Sequence, residues 1–247
     1  MIRLYGQAFE FEKREEIKNN RISDEAIELE QIKEDFNLCM NNWFSKSKKL
    51  EPVIDLYLTI NYHRTSLERH FLNLVQALEA YHRLTKINHV LPKKEHTARI
   101  QSIVSSLPEE HQKWVKDSLA FSNEPRLHDR MEELLTPAVK TKSPDFEAKY
   151  YHLFRLPNKE KIDIIRDIKN TRNYNTHFDE KLLRKSLKGE ELFQLVLLLK
   201  AMIEFYLLTE LEIDEEIVLN STWDKVNRID TRNSIIEATR SSNVSMW

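Results

Sequence analysis

The segment Thr171-Arg172-Asn173-Tyr174-Asn175-Thr176-His177-Phe178 places an arginine, an amide and a histidine within a few residues of one another. An arginine is a permanent planar cation matched to phosphate or carboxylate, and a histidine gives and takes a proton near neutral pH. Spacing alone carries little weight. With nine histidines and sixteen arginines in 247 residues, roughly two Arg and His pairs with four to six intervening residues arise by chance. Three occur: Arg64 with His70, Arg83 with His89, and Arg172 with His177. Arg64 stands just before a capping box, Thr65-Ser66-Leu67-Glu68, and Arg83 has Glu79 four residues earlier as a ready ion-pair partner.

Arg172 is different because Ile165, Ile168, Arg172 and Asn175 step by three, four and three, which puts the arginine on a stripe of isoleucines. A guanidinium there must meet an anion, a carboxylate or an interface, since burying it unpaired costs on the order of several kcal/mol. If the helix continues, Asn173 and His177 are neighbours one turn apart, about 40° around the axis. The amide could then orient the imidazole, while the arginine faces elsewhere. One chain therefore offers a base and a cation some way apart, and a two-fold axis near this helix would bring two of each together.

The elements that must carry this segment are helices. Only Gly6 and Gly189 are glycine and only seven residues are proline, too few turn residues for a β-rich chain. Ser23-Asp24 offers an N-cap to a helix with Ile27, Leu29, Ile32, Phe36, Leu38 and Cys39, ending near Trp43-Phe44, and a second helix is expected after Pro52. The capping box launches Phe71 to Tyr81 along a helix reaching about Ile87. An elaborated middle follows, with shorter helices near Ala98–Leu107, after Pro108, and over Arg126–Leu135. Asn158 is expected to cap the helix of Ile162, Ile164, Ile165 and Ile168 that runs into the motif. Gly189 reads as a C-terminal stop, and Glu190 to Ile213, apolar nearly all round, as the central helix. Residues 1–22 read as an arm or the remnant of an upstream domain, 23–219 as the helical domain, and 220–247 as a polar tail.

Composition narrows the function classes. Cys39, the lone cysteine, reads as helix core; it rules out an intramolecular disulfide or a thiolate-rich zinc site and suits a reducing cytoplasm. No secretory signal opens the chain, and Lys200, Glu204 and Glu210 interrupt the most apolar stretch, so no membrane association is expected. The net charge of −2 gives no general attraction to nucleic acid. Yet Ala138 to Lys188 holds 13 basic against 7 acidic residues, and Glu204 to Glu216 holds six acidic residues and no basic one. The basic block contains the motif. Tyr150, Tyr151 and Tyr174 could stack on bases or pack in the core.

The segment Arg172-Asn173-Tyr174-Asn175-Thr176-His177 resembles the signature of HEPN domains, an arginine, a polar residue and a histidine late in a helix. The earlier helix Phe71-Leu72-Asn73-Leu74-Val75-Gln76-Ala77-Leu78-Glu79-Ala80-Tyr81-His82-Arg83 resembles in particular the ApeA-like HEPN proteins of bacterial abortive-infection defence against phage. The resemblance implies an all-α HEPN-type bundle and a homodimeric, metal-independent endoribonuclease that uses no cofactor. In that chemistry His177 takes the proton from a ribose 2′-OH, Arg172 stabilises the phosphate charge, and Asn173 orients His177. Glu79 would pair with Arg172, although Arg83 is its simpler partner, and Tyr174 would support the site. Where some HEPN toxins carry a modifiable tyrosine two residues after the histidine, this chain has Asp179, so control at that position is not expected. ApeA-like proteins usually carry an N-terminal domain, and only a fragment of one fits before the helices begin; an upstream sensor or operon partner is not identified. Each residue also has a bland reading: Arg172 as a structural ion pair, His177 as an exposed residue near a helix end, Asn173 as a local cap. The alternative function is a catalytically silent HEPN dimer that binds nucleotide or protein.

Overall fold

The computed structural model describes residues 27–62, 65–136, 149–150 and 152–227. Expectations for the 1–22 arm, the Ser23-Asp24 cap, Arg64, Tyr151 and the tail beyond 227 lie outside these residues. Every regular element among the described residues is helical, as the glycine and proline count requires. After a short 3-10 turn at Leu29–Ile32 come α1 (Phe36–Tyr62), α2 (Leu67–Thr85), α3 (Lys93–Ser105), α4 (Glu109–Ser118) and α5 (Leu127–Leu134). The second half holds α6 (Lys161–His177), α7 (Glu180–Leu183), α8 (Gly189–Glu210) and a final helix, α9, over 215–227.

The core is built on α2 and α8. Ser66 caps α2, its hydroxyl accepting from the Arg69 N–H at 3.3 Å, one residue later than the expected Thr65 cap. Phe71, Leu74, Val75, Ala77, Leu78 and Tyr81 then line the buried face of α2 at helical spacing. α8 is buried on nearly every side, from Leu192 to Tyr206, and packs against α2 and α1. By length and composition it could cross a membrane, with a mean hydropathy of 1.8, but 56% of that apolar window is buried inside the bundle. Its interrupting charges are absorbed by neighbours. Tyr57 donates to Glu204 at 2.6 Å and Lys225 also bonds it, while Tyr81 donates to Glu210 at 2.9 Å.

Four expectations are corrected by packing. The helix holding Cys39 does not stop near Phe44; α1 runs through Pro52, because the missing N–H and ring clash, worth about 3 kcal/mol, are outweighed by burial of Leu50 and Val53 in the core. Asn158 is a turn residue with φ of 57° in a Leu156–Lys159 turn after Pro157, and Glu160 precedes α6 in its place. Gly189, at φ of 55°, opens α8 instead of ending the previous helix. The start of the expected polar tail, 220–227, is helical and buries Thr222 and Val226. Cys39 is core, as its helical position suggested.

α3 and α4 pack mainly on each other, so the elaborated middle projects from the bundle as a helical hairpin. α5 returns to the bundle and packs against both α2 and α6. That triangle of α2, α5 and α6 holds the motif.

Candidate active site

α6 buries Ile164, Ile165, Ile168 and Thr171, so the isoleucine stripe faces the core up to one residue before the motif arginine. The last turn is tied down by polar bonds. Thr171 Oγ1 accepts from the Leu187 N–H at 3.0 Å, Asn175 Nδ2 donates to the Thr171 carbonyl at 2.9 Å, and Thr176 Oγ1 donates to the Arg172 carbonyl at 2.7 Å. The helix then stops at Phe178, which takes the left-handed conformation at φ of 53° and donates its N–H to the Tyr174 carbonyl at 2.7 Å. Asp179 caps α7 by accepting from the Lys181 N–H at 3.0 Å.

Arg172 is about one-third exposed, at 35% of its side chain. Its Nη1 donates to Asn173 Oδ1 at 3.3 Å, and its Nη2 stands 4.0 Å from Glu79 Oε2. Arg83, the simpler partner by sequence, pairs instead with Glu124 at 2.7 Å, which leaves Glu79 facing Arg172. An ion pair at that distance and exposure is weak, on the order of 0–1 kcal/mol, so Arg172 is held without being neutralised. His177 is exposed, the final residue of α6, and its ring has no hydrogen-bond or ion-pair partner among the described residues. The expected hydrogen bond between Asn173 and His177 is likewise not formed among them; the amide oxygen is taken by Arg172, its immediate neighbour. Arg172 and His177 lie about 140° apart around the helix at 100° per residue.

The aromatic expectations separate. Tyr174 is half-buried, set edge-on to Phe178 at 6.1 Å, with Lys188 Nζ 5.7 Å from its ring. Tyr150 packs against the core, where burial raises its hydroxyl pKa.

Arg172 opens onto a cleft of about 610 Å³ between α2, α5 and α6. Its other polar walls are Glu79 from α2, Arg126, His128 and Asp129 from the start of α5, and Lys169 and Asn173 from α6. Sequence reasoning missed Arg126, His128 and Lys169. Lys169 was within reach, because it precedes Asn173 by four residues and shares its helical face. Arg126 and His128 lie more than forty residues upstream, and only the packing of α5 on α6 brings them here. Among the described residues no group of three or more His, Cys, Asp or Glu side chains could hold a metal ion.

α5 is held in place by a buried polar network that sequence reading also missed. Arg130, 3% exposed, donates from Nε to the Pro125 carbonyl at 3.0 Å, from Nη1 to His82 Nδ1 at 3.2 Å and from Nη2 to Glu124 at 3.4 Å. A guanidinium can only donate, so Nδ1 of His82 accepts and its Nε2 carries the proton given to Glu133 at 2.8 Å. His82 is 1% exposed, and burial pulls its pKa below the usual histidine value, against an opposing pull from Glu133. The network joins α2 to α5 and so fixes two of the three walls of the cleft.

Compared with known families, residues 72–217 match the family described as Apea-like HEPN, from early α2 into α9. No curated protein and no solved structure matches the chain.

Proposed function

This chain belongs to the Apea-like HEPN family, which matches more than half of its length, and on that premise we propose that it is a homodimeric, metal-independent endoribonuclease of cytoplasmic anti-phage defence. The observation that carries the reading is the state of Arg172 and His177. The arginine sits in a cleft with its only carboxylate neighbour among the described residues at 4.0 Å, and the histidine stands exposed at the end of the same helix with no partner among them. Neither is consumed in holding the fold.

His177 removes the proton from a ribose 2′-OH, and the resulting oxygen attacks the adjacent phosphorus. Charge builds on the phosphate oxygens, where Arg172 is a fixed cation, and the P–O5′ bond breaks as the leaving oxygen takes the proton back from the imidazolium, giving a 2′,3′-cyclic phosphate and a 5′-OH. Asn173 holds the guanidinium through its Oδ1, at 3.3 Å. The 140° between Arg172 and His177 supports the two-chain reading, in which a two-fold axis beside α6 would bring the histidine of one protomer to the arginine of the other.

Cleavage of single-stranded RNA in EDTA by the wild type and by His177→Ala is the test. The wild type is expected to cut and to leave cyclic phosphate ends, and the variant to lose that activity. Equal cleavage by both proteins, or loss of wild-type cleavage on chelation, overturns the proposal. A monomer at micromolar concentration removes the composite site.

A further inference from the structure

The cleft beside Arg172 contains more positive charge than the motif accounts for. Three of its walls are cationic, Arg126, Lys169 and Arg172, against two carboxylates, Glu79 and Asp129. The two carboxylates leave the cleft one net positive charge. Glu79 faces Arg172, and Asp129 accepts from the Arg126 backbone N–H at 2.9 Å and lies 3.6 Å from His128 Nδ1. Neither the Arg126 guanidinium nor the Lys169 ammonium has a carboxylate within 4.0 Å among the described residues. The contrast lies on the same helix and the loop before it: Arg166 is matched by Asp163 at 2.6 Å, and Lys159 by Asp167 at 2.5 Å. Arg166 and Lys159 thus each have a close carboxylate, whereas Arg126 and Lys169 meet at the cleft without one among the described residues. Like charges gathered in a cleft repel one another and focus a field that an anion relieves.

Helical geometry gives the cleft a direction. Lys169, Asn173 and His177 are four residues apart in turn, a single ridge that runs about 12 Å along α6. The ridge leads from the cleft to the exposed histidine. Taking RNA as the substrate, as proposed above, we infer that Arg126 and Lys169 form a phosphate subsite that holds the RNA phosphodiester neighbouring the one at Arg172. Such contacts read no sequence; they set the register of the strand on the enzyme. Arg126 and Lys169 are positioning residues, and they act on a substrate longer than the scissile dinucleotide.

The test uses the full chain carrying His177→Ala, so that binding is read without cleavage, and a labelled single-stranded RNA titrated across salt concentrations. Arg126→Ala and Lys169→Ala are each expected to weaken binding on the order of tenfold, equally for unrelated sequences. Each should also reduce the slope of log affinity against log salt by about 0.7. Both side chains are exposed, so neither substitution disturbs the core. Lys185→Ala, a basic-block change outside this cleft, is the control and should leave both quantities nearly unchanged. In the active protein Lys169→Ala should raise KM with kcat preserved. Unaltered affinity and slope in both cleft variants overturn the subsite, and so does an equal loss in the Lys185 control. 5′-AMP binding as tightly as the RNA would make this a free-nucleotide pocket and also overturn it. These readouts are independent of cleavage: an inactive wild type that still binds RNA through Lys169 refutes the nuclease and leaves the subsite standing.

Discussion

Two arginine and histidine pairs in this bundle have opposite fates. Arg130 and His82 are bonded to each other, buried to within a few per cent, and every nitrogen of the pair that has a described partner points into protein. Arg172 and His177 share one helix but not one face, and neither has a strong partner among the described residues. The first pair uses its donors to join α2 to α5, and the second leaves most of its donors without a partner among the described residues. Residue type is the same in both, so the difference lies in what surrounds them. A buried ionic group must be satisfied or the fold loses several kcal/mol, whereas an exposed one can remain free at little cost.

That contrast can be broken or sharpened by substitution. The largest effect is expected for His177→Ala, which should lower RNA cleavage by about 10²–10⁴-fold while thermal unfolding shifts by no more than about 0.5 kcal/mol. Arg130→Ala should do the reverse in kind, lowering stability in urea by about 3–5 kcal/mol, because His82 and Glu124 lose their shared donor. Arg172→Ala is expected to cost about 10²–10³-fold in kcat with the fold intact by circular dichroism. A melted Arg172→Ala protein would place this arginine with Arg130 and erase the distinction.

The buried histidine also carries a pH effect. The pKa of His82 is lowered in the folded state, so below the unfolded value of about 6.5 the unfolded chain binds the extra proton first. The stability that His82 contributes is complete above that pH and is lost as pH falls through its folded value. Urea midpoints at pH 7.5 and 5.5 should therefore converge in His82→Gln relative to wild type. The smallest expected effect belongs to Glu79→Gln: removing one negative charge from the cleft should tighten RNA binding by no more than about fivefold, measured in the His177→Ala background.

Much of the fold was legible because helices are written locally. The stripe from Phe71 to Tyr81 and the apolar run of α8 announced the two helices around which the core forms, and the glycine shortage excluded sheet. Boundaries were less legible where a tertiary term overrides a local one. Pro52 inside α1 is the clearest case, since nothing in its neighbourhood says that Leu50 and Val53 will be buried deeply enough to offset it. Local propensity makes Asn158 a helix N-cap and Gly189 a helix stop, but in the fold both serve positive backbone angles, Asn158 in a turn and Gly189 at a helix entry.

The sequence by itself determined which residues share α6, and in what order around it. Three residues per turn and a fraction more put Arg172 beside the isoleucines and put Asn173 and His177 on another side, whatever else the chain does. Only the tertiary structure decided what each of them meets. It gave Arg83 to Glu124 and Glu79 to Arg172, turned the Asn173 side-chain oxygen to the guanidinium, and folded Arg126 and His128 against a helix more than forty residues away in the chain. The physical reason is range. Periodicity is fixed by the backbone within one element, while partners, burial and the field inside a cleft depend on which elements pack, and that is set by the whole hydrophobic core at once.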